Sequence, residues 1–69
     1  MQRVVLVSRL SAGYDTDRFV FIFGDHKAVR FYGCRYTDEQ AKNLFLCELQ
    51  QMISMGKYPD IKLPGSAGK

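Results

Sequence analysis

The stretch Phe31–Phe45, FYGCRYTDEQAKNLF, joins two different local patterns within a chain of 69 residues. Its first residues end a run of β-branched and aromatic side chains, which is typical of a strand. Thr37 then fits the N-cap of a helix, and Gln40, three residues later, completes a capping box in which each side chain bonds the other residue's backbone N–H. The junction therefore predicts a strand, a short turn and a helix, in that order.

The helix is predicted to continue to about Met55. Asp38 and Glu39 lie in its first turn, where the helix dipole favours negative charge. Gly56 suits the left-handed conformation that commonly follows a helix, and Pro59 cannot continue one.

Three β-type runs precede this helix: Gln2–Leu10, Arg18–Phe23 and Lys27–Gly33. The second and third are separated by three residues only, a spacing that predicts an antiparallel hairpin. The helix has to cover one face of the sheet, because nothing else in the chain can bury its apolar side. The predicted fold is α+β: a three-stranded antiparallel sheet (β-β-β-α) with one C-terminal helix packed on one face, followed by an extended tail.

After the helix, the chain offers three apolar anchors before its composition changes. Tyr58, Ile61 and Leu63 are expected to pack on the core, whereas residues 64–69 (PGSAGK) are rich in glycine and small residues. We therefore expect a single domain over residues 1–63 and a flexible tail over residues 64–69.

The face that the helix covers depends on the length of the hairpin turn. The second run alternates three phenylalanines with Val20 and Ile22. A three-residue turn places the phenylalanines with Val29 and Phe31, whereas a two-residue turn places them with Arg30 and its alternate neighbours Ala28 and Tyr32. One residue of register exchanges the two faces of a strand. We favour the three-residue turn, because it gives the more apolar core.

With that register, the first strand contributes Val4, Leu6 and Leu10 to the core. The opposite face is left uncovered, with an apolar centre framed by arginines and a tyrosine. A contiguous apolar patch of this kind is unusual on a monomer, so the uncovered face is predicted to bind a partner. The apolar interface residues are Val5, Val7, Val20 and Ile22, and the framing residues on that face are Arg3, Arg9, Arg30 and Tyr32.

The formal net charge of the chain is +3, and the positive charge is concentrated in the strand half. A basic sheet favours acidic partners, nucleic acid among them. We expect Arg30 to read base edges, since arginine pairs with guanine through two hydrogen bonds. The residues expected to contact phosphates are Arg3, Arg9, Arg18, Lys27 and Arg35.

No set of side chains predicts catalysis, a metal site or a cofactor. The single histidine, His26, falls in a predicted turn, and Cys34 and Cys47 form no metal-binding pattern. Enzyme is therefore the least favoured class. The two thiols and the absence of a recognisable leader predict a cytoplasmic protein, and no apolar run approaches the about 18 residues that a membrane span needs.

The junction also resembles that of a known group of domains. The pattern T-x-E-x-A-x-x-x-[YF] after an aromatic residue and a glycine is similar to plant AP2-type domains and to the N-terminal domains of phage or transposon integrases. The resemblance covers about residues 14–55 and includes the hairpin RFVFIFGDHKAVRFYG. It implies a three-stranded sheet packed on one helix, which binds DNA by laying the sheet in the major groove. The matching residues are Tyr32, Gly33, Thr37, Glu39, Ala41 and Phe45.

Two functions are consistent with these observations. The first is a small regulatory module that binds DNA through the basic face of the sheet. The alternative is a protein-binding inhibitor or adaptor, of the kind that phages and other mobile elements encode, which uses the same face to bind a host protein. If the chain forms a homodimer, we expect the helix flank around Leu46 and Ile53 to form the contact.

Overall fold

The computed structural model describes residues 3–61. It contains strands β1 (Val4–Ser11), β2 (Thr16–Phe23) and β3 (His26–Gly33) and helix α1 (Asp38–Ser54). The strands form one antiparallel sheet in the order β1-β2-β3, so the predicted fold class is confirmed. Leu63 and the expected tail over residues 64–69 lie outside the described residues.

The junction between β3 and α1 has the predicted capping box. The Gln40 backbone N–H donates to the Thr37 hydroxyl at 3.0 Å, and the Thr37 backbone N–H donates to Gln40 Oε1 at 2.9 Å. At the other end, Gly56 has a φ of 84°, the left-handed conformation expected after the helix. Both ends of α1 therefore follow from local sequence.

The turn between β2 and β3 has two residues rather than the three that we predicted. Phe23 pairs with His26, which leaves Gly24 and Asp25 as the connection. Gly24 has a φ of 58°, and it occupies the first central position, where a II′ hairpin turn requires a positive φ. The predicted register was therefore wrong, and every side chain of β3 lies on the face opposite to the one expected.

A β-bulge in β1 changes the faces a second time. The pairing with β2 shifts between Leu6 and Ser8, because Val7 is an extra residue in the strand. Beyond this bulge, Arg9 lies opposite Phe19 and Leu10 lies opposite Arg18. Leu10, which we expected in the core, is consequently exposed on the other face, and Arg9 takes the place beside the core.

The core between the sheet and α1 is built mainly from aromatic rings. Phe19, Phe21 and Phe23 of β2 are fully buried, as is Phe45 of α1. The Phe21 and Phe45 rings stack in nearly parallel planes with centroids 4.4 Å apart, and such aromatic pairs add to the stability gained from burial. Burial of four phenylalanines stabilises a domain of this size strongly, at roughly 1.5–3 kcal/mol for each side chain.

The segment after α1 closes one end of this core. Ile61 is buried with Val4 and the phenylalanines, as predicted. Tyr58 packs edge-on against Phe23 with ring centroids 5.3 Å apart, and it also contacts the His26 ring. His26 Nε2 lies 3.1 Å from the Asp60 carboxylate. The first residues after the helix are therefore part of the domain.

Candidate functional site

One face of the sheet is covered by α1, and the other has no element of residues 3–61 packed on it. We call the second face the open face. It follows from strand pairing and from the alternation of side chains along each strand. Its side chains are Val5, Val7, Ser8, Leu10, Thr16, Arg18, Val20, Ile22, Lys27, Val29 and Phe31.

Most side chains of the open face are apolar. Val5, Val7, Leu10 and Phe31 expose 47%, 54%, 59% and 58% of their surfaces, which is unusual for large apolar residues. Val20 is only 7% exposed, and it lies in the central strand between Ser8 of β1 and Val29 of β3. The four residues predicted as an apolar interface, Val5, Val7, Val20 and Ile22, all lie on this face.

Basic side chains lie among these apolar residues. Arg18 pairs with Leu10 on one side and Phe31 on the other, and Lys27 pairs with Ile22. Within the three strands, the charged side chains on this face are Arg18 and Lys27, both of them basic. Their Cα atoms are roughly 14 Å apart, given a rise of about 3.4 Å per residue and a strand spacing of about 4.8 Å.

Arg9 lies on the covered face, contrary to the prediction. Its guanidinium donates to Asp17 of β2 at 2.8 Å and to Asp38 of α1 at 2.6 Å. It also donates to the backbone carbonyls of Cys34 and Tyr36 and lies 4.6 Å from the centre of the Phe19 ring. The hydrogen bonds to Asp38 and then to Asp17 raise the pKa of Arg9 above its ordinary value. Arg9 is therefore engaged inside the chain.

Arg30 is also on the covered face, and its expected role in base reading is not supported by its surroundings. Its Nε donates to both carboxylate oxygens of Glu48, at 2.9 and 3.1 Å, and its Nη1 donates to the Val29 carbonyl. The hydrogen bond to Glu48 raises the pKa of Arg30. The guanidinium lies 5.4 Å from the centre of the Phe45 ring, so it also packs on the core.

Tyr32, the third residue placed on the wrong face, packs against Phe19 with ring centroids 5.6 Å apart. Its hydroxyl is buried, and among the described residues it has no hydrogen-bond partner. Burial, followed by the negative charge of Glu48, raises the pKa of Tyr32 above its ordinary value of 10.0. This tyrosine therefore belongs to the core.

The remaining predicted residues lie at the margins of the sheet. Arg35 is exposed in the turn before α1, and Arg3 is exposed just before β1. Arg3 also lines an open cleft of about 330 Å³ between β1 and the start of α1, together with Val4, Val5, Leu6, Asp38, Glu39 and Lys42.

Leu46 and Ile53, the predicted dimer flank, are half-buried against the core of their own chain.

Phe31, Val29 and Leu10 were missed as members of the open face. Phe31 and Val29 were assigned to the core because the turn was taken as three residues long. The glycine at position 24 was the available signal, since Gly at the first central position is typical of a two-residue II′ turn. Leu10 was missed because the sequence carries no mark of the bulge at Val7.

Comparisons of the chain with protein-family models, with curated proteins and with solved structures found no significant match. Among residues 3–61, no helix is both long and apolar enough to cross a membrane. Within the same range, no three or more His, Cys, Asp or Glu side chains are grouped as metal ligands would be.

Proposed function

We propose that the protein is a non-enzymatic protein-binding module, an adaptor or inhibitor that binds a host protein through the open face. The observation that carries the proposal is the exposure of four large apolar side chains around the shielded Val20. An apolar centre with a polar or charged rim is the usual anatomy of a protein interface. We place this activity in the cytoplasm on account of the two exposed thiols.

The pairing of the arginines favours a protein over duplex DNA as the partner. Arg9 and Arg30 were the main candidates for phosphate and base contacts, but both are held by carboxylates of the chain itself. The positive charge left on the open face is modest, whereas its apolar surface is large. Aliphatic side chains contribute little to base recognition, and they suit the desolvated centre of a protein interface.

The test is capture of a partner from nuclease-treated host lysate by the tagged chain and by matched variants. We expect the parent chain to retain a protein after nuclease treatment, and we expect Ile22→Asp and Phe31→Asp to lose it. Each substitution puts a charge into the apolar centre, which would be costly to desolvate on binding. Phe31 is the safer site for the fold, because its side chain is more than half exposed.

Leu44→Asp is the matched control, because Leu44 is an exposed apolar residue of α1 and lies away from the open face. Far-UV circular dichroism and a urea midpoint establish that each variant folds. The proposal is contradicted if Leu44→Asp abolishes capture while Phe31→Asp does not. It is also contradicted if everything that the parent captures disappears with nuclease.

A second function, nucleic-acid binding, is favoured by one specific pair. Arg18 and the exposed Phe31 lie directly opposite each other on neighbouring strands. An aromatic ring that stacks on a base beside a cation that contacts phosphate is the arrangement used for single strands. The resemblance to AP2-type and integrase domains, which implies binding to duplex DNA, supports the same class. Titration with single-stranded and duplex DNA at two salt concentrations tests it, since phosphate contacts must weaken steeply with salt.

A further inference from the structure

The covered face shows how this sheet binds a helix. Ala41, Phe45 and Leu49 of α1 are buried along one stripe of the helix. Two arginines of the sheet pair with carboxylates of the helix: Arg9 of β1 with Asp38 at the N-terminal end of that stripe, and Arg30 of β3 with Glu48 beside it. The contact therefore combines an apolar stripe on the helix with carboxylates that meet cations of the sheet.

The open face has the same two kinds of side chain as the covered face. Apolar side chains lie in all three strands, and Arg18 of β2 and Lys27 of β3 lie among them at different cross-strand pairs. Unlike Arg9 and Arg30, neither of these cations has an ion-pair partner among residues 3–61. A partner that brings carboxylates to these positions would complete the ion pairs.

The dimensions of the open face suit one helix. Three strands spaced about 4.8 Å apart give a face roughly 14 Å wide with its side chains. An α-helix with its side chains is about 10–12 Å in diameter. A single helix laid along the face would therefore cover the apolar centre. Lys27 of the edge strand β3 would lie at its border, and Arg18, near one end of the central strand β2, would lie under one end of the helix, from which a long side chain can extend to the border.

We propose that the open face binds an acidic amphipathic helix of the partner, with carboxylates flanking its apolar stripe so that they reach Arg18 and Lys27. This inference rests on the proposed function and specifies the chemistry of the partner. Two carboxylates on that helix would lie roughly two turns apart, since seven or eight residues rise about 11–12 Å and long side chains span the remaining distance.

A second copy of the chain does not fit this description. Two open faces in contact would bring Arg18 and Lys27 of each copy near cations of the other, and like charges in an interface are unfavourable. Helix α1 of a second copy is no better, because its Asp38 and Glu48 already pair with Arg9 and Arg30. The charge pattern therefore points to a different protein.

The test is a displayed library of 18-residue helical peptides with a fixed leucine stripe and random residues at the flanking positions. It is selected against the parent chain and against the double variant R18E/K27E. We expect the peptides recovered by the parent to be rich in Asp and Glu at the flanks. R18E/K27E should bind those peptides about tenfold more weakly, as expected for the loss of two exposed ion pairs, and should itself select Lys and Arg.

The inference is overturned if the parent recovers no helical peptide, or if the recovered flanks are neutral or basic. The preference of the parent alone decides this, so the result does not depend on the folding of the double variant. If Phe31→Asp loses capture but the library shows no acidic preference, the protein-binding function is supported and the proposal of an acidic helix is wrong. If DNA displaces the selected peptides and no captured protein does so, the proposed function itself is contradicted.

Discussion

At the scale of single residues, Arg9 connects more parts of the chain than any other side chain in the hydrogen bonds described above. It links β1 to β2, to the turn before α1 and to the first turn of the helix. An arginine can do this because its planar guanidinium carries five N–H donors in a fixed arrangement. Its position next to Phe19 makes it part of the structural frame rather than of the binding surface.

We predict that Arg9→Met lowers the stability of the domain clearly. The methionine retains the packing on Phe19, but Asp17 and the two backbone carbonyls lose their donor. The urea midpoint, followed by far-UV circular dichroism, should fall further than for Arg18→Met, the matched change on the open face. Equal midpoints for the two variants would show that the Arg9 contacts contribute nothing specific.

Tyr32→Phe is predicted to stabilise the domain by about 1 kcal/mol, because it removes a buried hydroxyl that lacks a partner among the described residues. The change should also affect the dependence of stability on pH. The folded-state pKa of Tyr32 is raised, so the unfolded chain loses this proton first as the pH rises. The parent should therefore lose stability above about pH 10, near the ordinary tyrosine value.

Urea titrations of the parent and of Tyr32→Phe measure both effects. They are made at about pH 8 and about pH 10.5, on either side of the ordinary tyrosine pKa of about 10. The stability difference between the two proteins should be larger at the higher pH. Tyr36→Phe is the control for the loss of a tyrosine hydroxyl, since the Tyr36 side chain is exposed and its substitution should leave the urea midpoint unchanged. A less stable Tyr32→Phe would mean that the hydroxyl has a favourable partner.

Tyr14 is a strained residue in the loop between β1 and β2. It has a φ of 49°, in a region that bulky side chains rarely adopt, and its side chain is fully exposed. We predict that Tyr14→Gly raises stability by about 1 kcal/mol, because glycine adopts this conformation without the Cβ clash. Tyr14→Ala retains the clash and should leave the urea midpoint nearly unchanged, so a gain of equal size in both variants would contradict the explanation.

At the scale of elements, the start of α1 is defined by the reciprocal bonds of Thr37 and Gln40. Thr37→Ala removes the side-chain oxygen that accepts the Gln40 N–H, and it should cost about 1 kcal/mol of stability. Ser54→Ala at the other end of the helix is the matched control, because no cap depends on it. The urea midpoint distinguishes the two, and equal effects would show that the capping box is dispensable.

The elements themselves were predictable because they depend on local signals. The capping box, the glycine after the helix and the β-type runs each act within a few residues, and the structure has all of them. The anchors Tyr58 and Ile61 were predictable for a similar reason, as apolar residues directly after a helix end.

It was harder to predict which side chains lie on each face of the sheet, because one residue more or less in a turn or a strand exchanges the two faces. A two-residue turn instead of three moved Arg30 and Tyr32 to the covered face. The extra residue at Val7 moved Arg9 in the same way. Val20 and Ile22 were placed correctly because they alternate with the phenylalanines of β2, and Val5 was placed correctly because it precedes the bulge in β1.

At the scale of the whole molecule, we now expect a monomer. Leu46 and Ile53 were the reason to consider a homodimer, and both are half-buried against the core of their own chain. Sedimentation at about 100 μM, far above a typical micromolar dissociation constant, should give the mass of one chain. A concentration-dependent dimer that is lost in Leu46→Glu would restore the helix flank as an interface. A dimer that is lost only in Phe31→Asp would place the contact on the open face.

The turn at Gly24 and Asp25 also limits how the chain can change in length during evolution. One residue added there would exchange the two faces of β3, so that Phe31 would enter the core and Arg30 would leave Glu48. The loop over residues 12–15 is longer and exposed, so it can take up an additional residue without a change in the pairing of β1 with β2. We expect relatives of this protein to differ in length at residues 12–15 and to keep two residues between β2 and β3.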